Sequence, residues 1–187
     1  MKITGVIARF GGSGIGAAAL WFARPDGSYY TGEKGLTGLS LRDRAYFPGL
    51  LAGKDVIGRL VISKSTGKRT AIVAVPVKRN GRIIGALGAS LSVQELSRMI
   101  DEKMALPEDM VFYALNSTGQ TCLHRKASLL FAYPSDMGSR SLSEKVRVML
   151  SKPEGVVRYE FEGSRTVVFK HFPLTGWVFA VGLIRGK

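Results

Sequence analysis

The chain repeats itself, and this restricts its fold more than any other feature of the sequence. An apolar run over residues 17–24 stops at the turn Pro25-Asp-Gly27, and Val111-Phe-Tyr-Ala-Leu115 stops in the same way at Asn116-Ser-Thr-Gly119. In each half a return strand, a helical stretch and three more strands follow. The first trio covers residues 56–63, 69–78 and 82–91, and its last turn is Asn80-Gly81, the dipeptide that best suits a two-residue hairpin. The second trio covers residues 155–161, 165–171 and 177–184, with turns at Glu162-Gly163 and Leu174-Thr-Gly176. Helices are predicted over residues 41–52, with a break near Pro48, and over residues 143–150. Another runs from the capping box Ser92-Val-Gln-Glu95 to Met104, closed by Pro107. Residues 32–38, rich in Gly and Thr, read as a loop. The pattern predicts an α+β protein of two antiparallel five-stranded sheets flanked by helices. Its domains are residues 1–100 and 101–187, joined by the helix that opens at Ser92.

Several function classes are excluded on composition. A single cysteine, Cys122, rules out an intrachain disulfide and a cysteine-based zinc cluster, and the two histidines, His124 and His171, are far apart in sequence. The longest stretches without charge, residues 10–23 and 171–184, fall short of the roughly 20 residues that cross a bilayer. Gly11-Gly-Ser-Gly-Ile-Gly16 resembles a dinucleotide-binding turn. However, Trp21 and the Pro25-Asp-Gly27 turn arrive too early for the helix such a turn must open, so the glycines read as a lead-in to the first strand. Cys122 and His124 share one strand face without a third partner. The pairs Asp101-Glu102 and Glu108-Asp109 read as solvated surface. With no coherent acid/base set, the sequence predicts a protein that is not an enzyme and carries no metal or cofactor.

Charge suggests a rival. The formal net charge is +13, with 15 Lys/Arg against 5 Asp/Glu in residues 1–100 and 12 against 9 in the remainder. Residues 54–82 alone hold Lys54, Arg59, Lys64, Lys68, Arg69, Lys78, Arg79 and Arg82 against Asp55. A basic nucleic-acid-binding protein would look like this in composition. Against that reading, the charges fall at turns and on alternating strand positions, with no pattern of base-stacking aromatics.

The segment Leu39-Ser-Leu-Arg-Asp-Arg44-Ala-Tyr46-Phe47-Pro-Gly49 concentrates two arginines, two aromatics and a hydroxyl. A guanidinium there can offer a carboxylate a two-pronged hydrogen bond, while the other arginine stays in solvent. Arg44-Ala-Tyr46-Phe47, Ala52-Gly-Lys54, Ile62-Ser-Lys-Ser-Thr-Gly67, Val75-Pro-Val77, Asn80-Gly81 and Gly85-Ala-Leu-Gly-Ala-Ser-Leu91 follow one another in an order that resembles the double Cache sensor domains. Trp21 to Gly27, Gly119, His124 and Thr175-Gly-Trp177 extend the resemblance over residues 17–187. It implies two tandem PAS-like modules in the extracytoplasmic part of a bacterial or archaeal receptor, with the ligand in the membrane-distal first module and residues 101–187 proximal. It also implies an output partner (kinase, chemoreceptor or cyclase), a homodimer, and anchoring through membrane helices that this chain does not include. The family's long N-terminal helix is largely missing too, so the chain reads as an excised ectodomain.

Carried over residue by residue, the resemblance places Trp21, Arg44, Tyr46, Phe47, Ser63, Ser65 and Ser90 at the ligand. Leu39 and Ser90 stand where amino-acid-binding members have a Tyr and an Asp, so an α-ammonium loses its counter-charge and an organic anion is expected. The second module is expected to be empty, its turns filled by Phe131, Tyr133, Phe172 and Trp177.

Overall fold

The protein is described by a computed structural model over residues 18–186, which separate into two compact units, the first ending at Ser92 and the second opening at Val93. The glycine run at residues 11–16 lies outside the described residues.

In the first unit β1 (Ala18–Ala23), β2 (Ser28–Thr31) and β3 (Gly35–Ser40) precede the short helix α1 (Phe47–Leu51). β4 (Val56–Ile62), β5 (Arg69–Arg79) and β6 (Arg82–Ser92) follow. All pairings are antiparallel and the spatial order is β3-β2-β1-β6-β5-β4. The sheet therefore has six strands where five were expected. The extra one is β3, whose two glycines made it look like a loop. It pairs only with β2, through a register shift between Ser28 and Tyr30, and edge strands tolerate such residues best. The β5–β6 hairpin closes at Asn80 (φ 50°) and Gly81 (φ 75°), the left-handed pair of a type I′ turn.

The predicted helix over residues 41–52 shrinks to α1, preceded by tight turns in which Arg44 N donates to Leu41 O and Phe47 N to Arg44 O. Pro48 sits in its first turn, where a missing N–H costs nothing. Phe47 and Leu50, three residues apart, face inward and join Trp21, Tyr29, Ile72 and Ala86 in the core.

The second unit consists of α2 (Val93–Met104), β7 (Met110–Leu115), β8 (Thr121–His124), α3 (Arg140–Ser151), β9 (Glu154–Glu160), β10 (Ser164–Phe172) and β11 (Trp177–Arg185). Its sheet is antiparallel and five-stranded, in the order β8-β7-β11-β10-β9. The expected boundary at residue 100 moves to Ser92 because α2 packs on β8. Ser97 Oγ donates to Val93 O and accepts from His124 N. α3 begins earlier than expected, capped by Ser139, whose Oγ accepts from Leu142 N at 3.1 Å. Leu142, Val146 and Met149 of α3 cover Tyr113, Tyr159 and Phe169 of the sheet.

Two further expectations are corrected here. Asp101 is not simply solvated but lies 2.9 Å from Arg125 Nε. Of the aromatics expected to fill the second unit, Trp177 is buried, but Tyr133 and Phe172 are exposed and Phe131 is half-buried. Among the described residues no helix is long and apolar enough to cross a membrane, and no group of His, Cys, Asp or Glu side chains could hold a metal ion.

Candidate functional site

The central position of β1 in the first sheet sets up the site. Ala19 and Trp21 share one face of β1, and Trp21 pairs across to Gly88 of β6. A Cβ at residue 88 would collide with the indole ring, so only glycine lets Trp21 lie flat on the sheet. The indole Nε1 donates to Ser90 Oγ at 3.2 Å. Tyr29 and Thr31 alternate inward on β2, and Val61, Ser63 and Ser65 continue the inward face of β4 into its turn. The turns before α1, held by the buried Phe47 and Leu50, bring Leu41, Arg44 and Tyr46 over this face. The result is a concavity of about 360 Å3, counting the solvent at its mouth.

Six of the seven residues named from the sequence line it: Trp21, Arg44, Tyr46, Ser63, Ser65 and Ser90. Phe47 does not. It is 1 % exposed and packs in the core, because its neighbour Tyr46 takes the pocket side of the turn. Arg42 is exposed, as expected for one arginine of the pair. Sequence reasoning missed Tyr29, Thr31 and Lys64. The period-two alternation of β2 carried that signal for Tyr29 and Thr31 but did not say which face looks inward, and Lys64 sits in the turn after β4, where alternation gives no guide.

The electrostatics of the pocket are one-sided. Arg44 is tethered by one nitrogen, which donates to Ile62 O at 2.6 Å, while its Nε is buried with no hydrogen-bond partner. Lys64 also lines the pocket, but its ammonium is bound to Asp43 and to Ser40 O, and it holds the exposed Asp43 carboxyl below its ordinary pKa. Burial pushes the Tyr46 phenol up to about 12, so it remains a neutral donor at physiological pH. Among the described residues that line the pocket, none is acidic. Ser63 and Ser65 hydroxyls lie 3.4 Å apart and add neutral hydrogen-bonding capacity.

No protein-family model matches the chain, and no curated protein matches it. Solved structures do. The ligand-binding domain of the Pseudomonas fluorescens chemoreceptor CtaA, solved with L-serine, is 16% identical and superposes with a TM-score of 0.71, over 99% of this chain and 81% of that one. The periplasmic sensory domain of the Campylobacter jejuni chemoreceptor Tlp1 gives 15% identity and a TM-score of 0.70 over 96% of this chain and 76% of that one. The ligand-binding domain of the Pseudomonas aeruginosa amino-acid chemoreceptor PctB, solved with L-Gln, gives 16% and 0.70 over 98% and 75%. At this identity the likeness establishes the fold, two tandem PAS-like modules.

Proposed function

We propose that the chain, having this fold, is the extracytoplasmic sensor part of a membrane-anchored receptor. Its first unit binds a small organic carboxylate and passes occupancy to an output domain. The first unit is the membrane-distal module, the second is proximal, and the receptor works as a homodimer. Ligand acts by shifting a population between two states, to the extent that it binds one of them more tightly.

The observation that carries the reading is Arg44. Its guanidinium lines a pocket without any acid, and its Nε is buried and unpaired. A buried cationic donor in that condition is costly unless an anion completes it. The same lack of acid argues against an α-amino acid. Two of the similar domains were solved with amino acids, but here the described lining offers an ammonium only neutral hydroxyls and no carboxylate, and Ser90 Oγ already accepts from Trp21.

A thermal-shift screen of organic acids, amino acids and purines identifies the ligand class, because binding to the folded state raises apparent stability. Calorimetry of the best acid then compares wild type, Arg44→Ala and Ser90→Asp. Arg44→Ala is expected to cost about 2 to 5 kcal/mol, a loss of roughly 30-fold to several thousand-fold in affinity. Ser90→Asp is expected to weaken the acid and to admit an amino acid. Unchanged affinity in Arg44→Ala would make that arginine structural and remove the proposed pocket chemistry.

A further inference from the structure

The second unit contains a half-open concavity of its own, about 300 Å3 counting the solvent at its mouth, bordered by α3 and by the segment of residues 125–139 that contains the short 3-10 turns Ala127–Leu129 and Pro134–Asp136. Arg165, on β10, lines it. This arginine is only 4% exposed, and its Nε is buried with no hydrogen-bond partner. Its guanidinium lies over the Phe161 ring, 5.0 Å from the centroid, and donates to the Tyr159 hydroxyl, which exchanges a 3.1 Å hydrogen bond with Tyr113.

Charge is poorly balanced around it. The acid that reaches Arg165 is Glu162, half-exposed and 3.5 Å away, and its same oxygen is already 2.7 Å from Lys126 Nζ. Two cations thus share one carboxylate. A buried guanidinium whose Nε finds no acceptor among the described residues, and whose acid also serves Lys126, is left with part of its desolvation uncompensated. His124 lines the same pocket. Its Nδ1 accepts from Lys126 N at 2.8 Å, which puts the proton of the neutral ring on Nε2. Burial and the Arg165 and Lys126 charges keep that ring neutral. The remaining wall is Thr121 and the apolar side chains of Leu129, Pro134, Met137 and Leu142.

We propose that this pocket is a second ligand site, in which Arg165 receives the carboxylate of a short monocarboxylic acid while its hydrocarbon end lies against Leu129, Met137 and Leu142. Tyr113 and Tyr159 supply a hydroxyl to the same oxygens. The described lining offers one cation and no carboxylate, so a second anionic group or an ammonium on the ligand finds no counter-charge, and dicarboxylates and amino acids are disfavoured. This proposal departs from the expectation that the second unit is empty. This site stands independently of the one around Arg44.

The test uses the intact chain with acetate, propionate and L-lactate as probes, followed by amide NMR shifts and calorimetry, with succinate and propylamine as controls. Saturable binding of at least one monocarboxylate is expected, with shifts centred on Tyr113, His124 and Tyr159. Arg165→Gln should weaken it by about 30-fold or more, whereas in Arg44→Ala, whose first-unit binding is lost, the ligand-induced shifts at Tyr113, His124 and Tyr159 should persist. Because Arg165→Gln also disturbs packing, Met137→Phe serves as a second variant that fills the pocket and keeps the arginine; it too should abolish binding. The proposal is overturned if no probe shifts these residues, if Met137→Phe binds as wild type does, or if Arg44→Ala abolishes all acid binding. The last outcome would leave the first site standing alone.

Discussion

At the scale of single residues, Trp21 and His124 carry consequences that solution measurements can reach. Gly88→Ala puts a methyl group into the Trp21 ring, and the indole can move only by giving up its bond to Ser90. The expected result is a loss of about 1 to 3 kcal/mol in stability together with weakened ligand binding in the first unit, read by chemical denaturation and calorimetry. His124 has a folded pKa of about 4, below its ordinary 6.5, because burial and nearby cations disfavour the imidazolium. The unfolded chain therefore binds the proton more readily. Stability is full above about pH 6.5, falls as the pH drops towards 4, and levels off below that, a span of roughly 3 kcal/mol at most. His124→Asn should flatten this part of the pH profile; an unchanged slope between pH 6.5 and 4 would assign it to other groups. Legibility at this scale was uneven. Arg44 and Tyr46 could be found because cation and phenol stand two residues apart in an otherwise apolar stretch. Phe47 was misplaced because the sequence does not show where the turn ends and the helix begins. Arg165 escaped notice altogether, since on an alternating strand it looks like any solvated arginine until its face is known.

At the scale of elements, those with strong local chemistry were readable, and those held by their neighbours were not. Asn80-Gly81 fixed β5 and β6, because both residues tolerate positive φ. β3 was missed because its own sequence disfavours a strand and only pairing with β2 makes it one. The link from α2 to β7 is another case of distant support. Arg125, on the far side of β8, donates to the carbonyls of Leu106, Pro107 and Met110, so one side chain satisfies the backbone around Pro107. Arg125→Ala is expected to cost about 2 kcal/mol and to raise amide exchange selectively at residues 105–110. The N-terminus of α3 depends on Ser139 in a more local way. Ser139→Ala should cost about 1 kcal/mol, with Ser139→Asp recovering most of it, as measured by thermal denaturation.

For the whole molecule, the charge that suggested nucleic acid takes on a different meaning. All eight basic residues of the run from Lys54 to Arg82 are exposed, and the unit that contains them also contains the acid-free pocket. A positive field of this kind speeds the approach of small anions and weakens as salt screens it. Raising the salt from about 0.05 M to 0.5 M should lower the association rate of an organic acid more than that of its neutral amide, as stopped-flow measurements would show. Tight, steeply salt-dependent retention on single-stranded DNA would instead return the charge to the nucleic-acid reading. The internal repeat announced two units, but where one stops depended on the packing of α2, which no local signal declares. The same division has a practical side. The chain has two tryptophans, and one is buried in each unit, Trp21 in the first and Trp177 in the second. Each half therefore carries its own intrinsic fluorophore. In a Trp177→Phe background the emission of Trp21 reports on the polarity of the first pocket alone, and in a Trp21→Phe background the emission of Trp177 follows the unfolding of the second unit alone.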